Sequence, residues 1–196
     1  MTNPDQAFVQ RLIGPRESII TDLVLGAFAR WWKNPERGQL YRRVQAGLIH
    51  NYTMNAAPTA FASDPGVRIV PGQETLSFVI EEILILRFKK GDASGLSRNI
   101  ETLLALAWLN PQECIPGLPD LMKIEACYVL NKIQTQIDKI LIVARNYKGM
   151  LWSYQIFPVA ASVMAPPLPI PTPPQSSASN VVRLPRRKAA PKKEQG

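Results

Sequence analysis

The stretch MKIEACYVLNKIQTQIDKILIVARNYKGMLWSYQIF, residues 122–157, carries the clearest structural signal in this chain. It contains three runs rich in β-branched, aromatic and other apolar residues: MKIEACYVLN, QIDKILIVAR and GMLWSYQIF. Polar or glycine-containing breaks separate the runs, and short breaks of this kind join neighbouring antiparallel strands. The stretch therefore predicts a three-stranded antiparallel meander.

A further strand is predicted within EEILILRFKKGD, residues 81–92. Side chains of a strand alternate between its faces, and both faces of this run are apolar at its middle, which predicts a central strand covered on both sides. Its end carries three cations: Arg87, Lys89 and Lys90. A buried guanidinium needs an anionic partner, so Arg87, the deepest of the three, is expected to pair with Glu101 or Asp92, or to hold a phosphate.

Two helices are predicted before the sheet. After Pro15, pairs of apolar residues recur every four positions and form one wide apolar stripe that reaches Trp31 and Trp32. Pro35 then stops the helix. Because Trp31 and Trp32 continue the stripe, both are expected to belong to the core.

The second helix is predicted from about residue 36 to residue 54. Its inner side is assigned to residues at helical spacing, which are Leu40, Val44, Gly47, Leu48 and Asn51 or Tyr52. Its outer side is basic at one end, where the cations are Arg37, Arg42 and Arg43. This basic end is one candidate contact for nucleic acid.

The remaining elements complete the plan. Residues 67–70 predict a short strand, and residues 100–110 predict a short helix that is capped by Asn99 and closed by Pro111. The sequence therefore predicts an α+β fold, in which two N-terminal helices pack on a mainly antiparallel sheet with one inserted short helix.

The last segment differs in composition from the rest. Residues 161–196 are rich in proline, serine and cations, and such a segment cannot bury enough apolar surface to offset its ordering entropy. A disordered, Pro-rich, basic tail is therefore predicted, after a single α+β domain at 1–160 with a helical part at 1–60 and a sheet part at 64–158. The formal net charge of the chain is +8, and the tail cations predict a weak, salt-sensitive contact with nucleic acid or another anion. These cations are Arg183, Arg186, Arg187, Lys188, Lys192 and Lys193.

Several classes of protein are excluded by the motifs that this chain lacks. Two cysteines, Cys114 and Cys127, and one histidine, His50, are too few for a zinc site with four ligands, so no metal is expected. The motifs GxxxxGK[ST], GxGxxG and HExxH do not occur, so no cofactor is assigned and no catalytic residue is named. The N-terminus lacks the pattern of a signal peptide, and no apolar run is long enough to span a membrane. A reduced, cytoplasmic protein is therefore expected.

One catalytic alternative is a divergent metal-dependent nuclease. Such enzymes place an Asp and a Glu-x-Lys on adjacent strands, where the acids hold a divalent ion and the lysine stabilises the developing charge. Here Arg87 stands where an acid is needed. Glu81 and Glu82 lie at the opposite end of the run, roughly 20 Å from Lys89 at about 3.3 Å per residue, which is too far to share a metal.

The order of short motifs in the second half of the chain resembles a known arrangement. The motifs are VRIV (67–70), LRFKKGD (86–92), SRNIETLLAL (97–106), IPGLPDL (115–121), YVLN (128–131) and LWSY (151–154). In this order they resemble a family of bacterial proteins that are encoded beside a helix-turn-helix protein fused to an ImmA/IrrE-type metallopeptidase. That pairing is similar to RosmerTA-type antiphage toxin-antitoxin systems. The N-terminal helices and the tail lie outside the match.

The resemblance implies a toxin-like effector of a bacterial toxin-antitoxin defence operon, controlled by a helix-turn-helix/ImmA-IrrE type partner. It assigns no catalytic residue. The polar residues of the shared motifs are expected to form a rim at the end of the central strand, and they are Arg87, Lys89, Lys90, Asp92, Arg98 and Asn99. The alternative from the residues themselves is a nucleic-acid-associated protein that uses the basic tail and the basic end of the second helix.

Overall fold

The described residues form four α-helices and six β-strands. The computed structural model describes residues 4–72, 75–97, 103–110, 120–147 and 149–158, all within one unit that spans Met1–Ser162. The helices are α1 (Gln6–Ile13), α2 (Glu17–Trp32), α3 (Arg42–Ala60) and α4 (Leu103–Leu109). The strands are β1 (Val67–Pro71), β2 (Leu76–Ile80), β3 (Leu84–Lys90), β4 (Met122–Leu130), β5 (Ile137–Asn146) and β6 (Gly149–Phe157). Two 3₁₀ segments, Gly14–Arg16 and Pro35–Gln39, flank α2.

All six strands form one sheet, in the order in which they occur along the chain. Neighbouring strands are antiparallel except for β3 and β4, which are parallel. A parallel pair needs a crossover connection, and the segment between β3 and β4 provides it and carries α4. The α+β class with a mainly antiparallel sheet is confirmed. The predicted meander is confirmed as well, and it corresponds to β4, β5 and β6.

One face of the sheet packs against the N-terminal helices and holds the main core. Fully buried side chains from the strands cluster with those of the helices, and examples are Phe78, Leu86, Ile142, Ile20 and Ile49. The ring centroid of Phe78 lies 5.5 Å from that of Phe61 and 5.4 Å from that of Phe88. This apolar burial is the main term that holds the helices on the sheet.

The opposite face of the sheet is covered as well. Val79 and Ile85 cluster there with Trp108 of α4 and with Leu121. A second group on the later strands contains Cys127, Leu141 and Val143. The first five residues of β3 are all buried. The prediction of a central strand covered on both sides is therefore confirmed.

The helical part differs from the prediction at its ends. It includes α1, which was not predicted and which is N-capped by Asp5 through a hydrogen bond from the Phe8 N–H at 2.8 Å. The predicted first helix corresponds to α2, which ends at Trp32. The predicted second helix corresponds to α3, but it begins at Arg42 because the residues after Asn34 form a 3₁₀ segment instead.

The buried face of α3 is only partly the predicted one, since Leu48 and Tyr52 pack against the main core but other residues are its most buried members. Its buried residues are Gln45, Ile49, Thr53, Met54 and Ala57, four of which recur at four-residue spacing. Val44, which was assigned to the inner side, is 41% exposed. The apolar character of single residues did not predict this face. Gln45 and Thr53 are polar but lie on the same side of the helix as Ile49 and Ala57, so they are buried with them.

Only one of the two adjacent tryptophans is buried. Trp31 belongs to the core, whereas Trp32 is 38% exposed. Successive residues on an α-helix point about 100° apart, so both rings cannot face the sheet. The expectation that both tryptophans belong to the core was therefore wrong for Trp32.

A tight turn interrupts the run that was predicted to be continuous from residue 81 to residue 90. Residues 81–83 join β2 to β3, and the Ile83 N–H donates to the Ile80 carbonyl at 3.1 Å. Glu81 and Glu82 have positive φ values of 52° and 53°. Such a turn usually recruits Asn or Gly, so two glutamates did not predict it. The carboxylate of Glu82 is instead held by Arg68 across the hairpin, at 2.6 Å.

Relieving the left-handed backbone at this turn is expected to stabilise the fold. Glycine occupies positive φ without the steric cost that a Cβ imposes. We expect Glu82→Gly to raise the melting temperature by about 2–4 °C, because the lost ion pair with Arg68 is exposed and contributes little. Thermal unfolding followed by circular dichroism checks this. Glu82→Ala is the control, since it removes the same carboxylate and keeps the Cβ; a melting temperature no higher for Gly than for Ala contradicts the prediction.

Candidate functional site

Arg87, the central residue of the predicted rim, pairs with a carboxylate on the neighbouring strand. It lies directly opposite Glu125 in the parallel register of β3 and β4. Its Nε donates to Glu125 Oε1 at 3.0 Å, and its Nη2 donates to the same oxygen. The expected carboxylate partner is present, but it is Glu125 on the neighbouring strand, which was not among the predicted partners Glu101 and Asp92; Glu101 lies outside the described residues.

A set of hydrogen bonds extends from this pair across the covered face of the sheet. Ser97 Oγ donates to Glu125 Oε2 at 2.7 Å, and Arg145 Nη1 donates to Ser97 Oγ at 3.0 Å and to its carbonyl at 2.6 Å. The ring of Trp108 lies over the guanidinium, with its centroid 4.0 Å from Arg87 Cζ. We call Arg87, Ser97, Glu125 and Arg145 the buried charge cluster.

The buried charge cluster keeps its carboxylate ionised although Glu125 is fully buried. Burial by itself raises the pKa of Glu125, but the charge of Arg87 and the hydrogen bond from Ser97 outweigh burial and lower that pKa below its usual value. Burial lowers the pKa of Arg87, and the charge of Glu125 opposes that shift. Both oxygens of Glu125 accept hydrogen bonds, whereas Arg145 Nε is buried without a hydrogen-bond partner among the described residues. The guanidinium of Arg87 is hydrogen-bonded to Glu125 and covered by the ring of Trp108.

Cys127 lies beside this cluster as an unreactive thiol. It is fully buried, and its Sγ donates to Glu125 Oε2 at 3.6 Å. Burial, together with the negative charge of Glu125, raises the pKa of Cys127 well above its ordinary value. The thiol is therefore protonated at neutral pH, as expected of a core cysteine. Cys114 lies outside the described residues.

The other described rim residues lie at the end of β3 and just after it, and Lys89 shares a face of β3 with Arg87. Lys89 and Lys90 are half-buried on opposite faces of β3, and burial lowers the pKa of each. The carboxylate of Asp92 accepts from the N–H of Ser94 at 2.9 Å, which shapes the turn after β3. Arg98 and Asn99 lie outside the described residues. Of the predicted rim, the structure thus places one residue in the buried charge cluster and two cations at the strand end.

His50 faces inward from α3 and pairs with a hydroxyl. Its Nε2 lies 3.1 Å from Thr75 Oγ1. Burial lowers the pKa of His50 below its ordinary value, and the positive charge of Lys89 lowers it further. The site favours the neutral imidazole, as in a packed core histidine.

The lowered pKa of His50 predicts how stability depends on pH. The unfolded chain binds a proton at His50 near pH 6.5 and the folded chain resists it, so this residue costs stability as pH falls below that value and none above it. We expect the free energy of unfolding of the wild type, relative to His50→Gln, to fall between pH 7.5 and pH 5. Urea unfolding of both proteins across this range measures the difference, and parallel curves would contradict the prediction.

The basic end near α3 is built around an exposed tryptophan. Arg37 stacks on Trp32, with its Cζ 3.7 Å from the ring centroid, and its Nη1 donates to the Trp32 carbonyl at 2.9 Å. Arg42 begins α3 and is close enough to lower the pKa of Lys90 further, beyond the effect of burial. The six tail cations lie outside the described residues.

The described part of the chain contains neither a cluster of metal-ligating side chains nor a helix suited to a membrane. Within it, His, Cys, Asp and Glu side chains nowhere gather in threes around a position suited to a metal ion. None of the helices in that part combines the length and the apolar character that a membrane crossing needs.

No residue role can be transferred to this site from a characterised relative. The interpretation of the site depends on its own contacts and on the motif order described above. Comparison with protein-family models, with curated proteins and with solved structures found no match for this chain.

Proposed function

We propose that this chain is the toxin-like effector of a bacterial toxin-antitoxin pair that acts in antiphage defence in the cytoplasm. A helix-turn-helix/ImmA-IrrE type protein is the partner that holds it inactive. The observation that carries the proposal is the order of the six short motifs between residues 67 and 154. Four of these motifs reach the described strands β1, β3, β4 and β6, so they belong to one sheet.

The effector acts by binding a target. The support for a binding mode is the state of the ionisable groups in the shared motifs. Arg87 is engaged with Glu125 beneath Trp108, and Asp92 shapes a turn. The nuclease alternative requires Arg87 and Lys89 to act together on a phosphate, and the burial of Arg87 gives that alternative no support.

Controlled expression tests this proposal. We expect induction of the chain alone to slow bacterial growth, and co-expression of the helix-turn-helix/metallopeptidase gene encoded beside it to restore growth. Phe78→Ala, which removes a fully buried core ring, is the control for the burden of expression and is expected to be harmless. If the intact chain slows growth no more than this control, and the neighbouring gene changes nothing, the proposal fails.

A second candidate function is association with nucleic acid. It is favoured by the cations at this end of the molecule, because Arg37 stacks on the exposed ring of Trp32 and Arg42 lies close to Lys90. Binding of this kind is electrostatic and weakens steeply with salt. Deletion of residues 161–196 is expected to lower DNA and RNA affinity at low salt, and unchanged affinity after deletion would remove the tail from this function.

A further inference from the structure

A pocket of about 260 Å³ lies at the basic end of the molecule. Its walls come from the end of α2, the 3₁₀ segment Pro35–Gln39, the start of α3 and the turn between β4 and β5. The lining residues that matter for its chemistry are Trp31, Trp32, Arg37, Arg42 and Gln45. The β4–β5 turn closes the other side.

Two residues that line this pocket carry buried N–H groups that lack an acceptor within the described part of the chain. Trp31 is 6% exposed and Gln45 is 4% exposed, and both line the pocket. Among the described residues, neither Trp31 Nε1 nor Gln45 Nε2 has a hydrogen-bond partner. A buried donor without an acceptor costs free energy, so these two groups favour a ligand that brings oxygen atoms.

The described residues that line the pocket give it a positive charge. Its lining includes two guanidinium groups, and none of its described lining residues is acidic. Arg37 is fixed by its stacking on Trp32 and by its hydrogen bond to the Trp32 carbonyl, which leaves less side-chain entropy to lose when a ligand binds. Arg42 adds a second positive charge at the start of α3. Donors and cations together match an anion with several acceptor oxygens.

We propose that this pocket binds a small oxyanion, a phosphate or carboxylate group carried by a small molecule. The N–H groups of Trp31 and Gln45 donate to its oxygens, and Arg37 and Arg42 neutralise its charge. The volume is below the range of roughly 300–1,000 Å³ that is typical for drug-sized ligands, so the ligand is no larger than a nucleotide monomer. The inference stands apart from the proposed function, since the pocket lies outside the shared motifs.

Titration of the full chain tests this site with three probes: sodium phosphate, adenosine monophosphate and sodium succinate, at constant ionic strength. Calorimetry measures affinity, and tryptophan fluorescence reports on the pocket because Trp31 and Trp32 line it. We expect at least one probe to bind saturably, and Arg42→Gln and Gln45→Leu each to weaken it about tenfold or more. Binding of phosphate or the nucleotide but not succinate identifies a phosphate site, and the reverse identifies a carboxylate site.

Arg43→Gln is the matched control. Arg43 precedes Val44 in the same exposed turn, carries the same charge and does not line the pocket. Gln45→Leu removes a donor without a partner, so it is expected to leave the melting temperature unchanged or higher, which separates loss of binding from loss of fold. The inference is overturned if no probe binds saturably, or if Arg42→Gln and Arg43→Gln weaken binding equally.

Discussion

Replacing Glu125 by alanine is expected to lower the free energy of unfolding by about 3–5 kcal/mol. The change removes the only carboxylate of the buried charge cluster and leaves the guanidinium of Arg87 without its acceptor, beneath Trp108. It also takes the acceptor from Ser97. A buried charge that has lost its partner pays the full cost of desolvation, which is larger than the net contribution of the pair. Urea unfolding monitored by tryptophan fluorescence measures the loss.

The ion pair between β1 and the turn that joins β2 to β3 offers a matched control for this prediction. Arg68 and Glu82 also form an Arg–Glu pair with two hydrogen bonds of 2.6 Å, but both side chains are largely exposed. Arg68→Ala is therefore expected to change stability far less than Glu125→Ala. The double variant Arg87→Met with Glu125→Leu is expected to recover most of the loss, because no unpaired charge remains. Equal losses in the exposed and the buried pair would show that burial does not govern the effect.

Replacing Phe78 by alanine is expected to cost a similar amount, about 3–5 kcal/mol. The ring is fully buried on the helix side of the sheet and contacts the rings of Phe61 and Phe88. The substitution loses the transfer free energy of the ring and leaves a cavity between β2, β3 and the end of α3. Because the stability of a domain is typically only about 5–15 kcal/mol, either variant is expected to be partly unfolded in mild urea.

The control for Phe78→Ala is the replacement of a solvent-exposed aromatic residue. Tyr41, which precedes α3, is 84% exposed, so Tyr41→Ala removes a ring of similar size that has little buried surface. It is expected to change the free energy of unfolding by about 0.5 kcal/mol or less. A loss for Phe78→Ala no larger than that for Tyr41→Ala would contradict the position of this ring in the core.

The two large effects also affect how the expression experiment is interpreted. Glu125 and Phe78 lie on opposite faces of the sheet, so either variant is expected to lower activity by destabilising the scaffold. Loss of toxicity in Glu125→Ala alone is therefore no sign of catalysis. A direct contact is better sought at exposed residues such as Arg42 and Arg43, whose replacement leaves both faces of the sheet intact.

The fold class and the meander of the last three strands could be predicted because each signal is local. The runs in β4, β5 and β6 contain β-branched and aromatic residues bounded by breaks, and the break residues fall where the strands end. The turn at residues 81–83 could not be predicted, since glutamates at positive φ follow no turn preference. The burial of Gln45 on α3 was not predicted either, because the residue is polar; it lies four residues before the buried Ile49 and therefore on the same face of the helix. The four-residue spacing of the buried positions, more than residue type, is the signal that could have predicted the buried face of α3.

By itself the sequence determined that a β-rich segment follows helices, that the strand carrying Arg87 is covered on both sides, and that this guanidinium needs an anionic partner. Only the tertiary structure decided which acid it is, because Glu125 lies 38 residues away and comes into register through the parallel pairing of β3 and β4. The pocket beside Trp31 and Gln45 is likewise formed by segments distant in sequence. Periodicity is a property of neighbouring residues, whereas partners across strands and around a pocket depend on crossover and register, which no local pattern records.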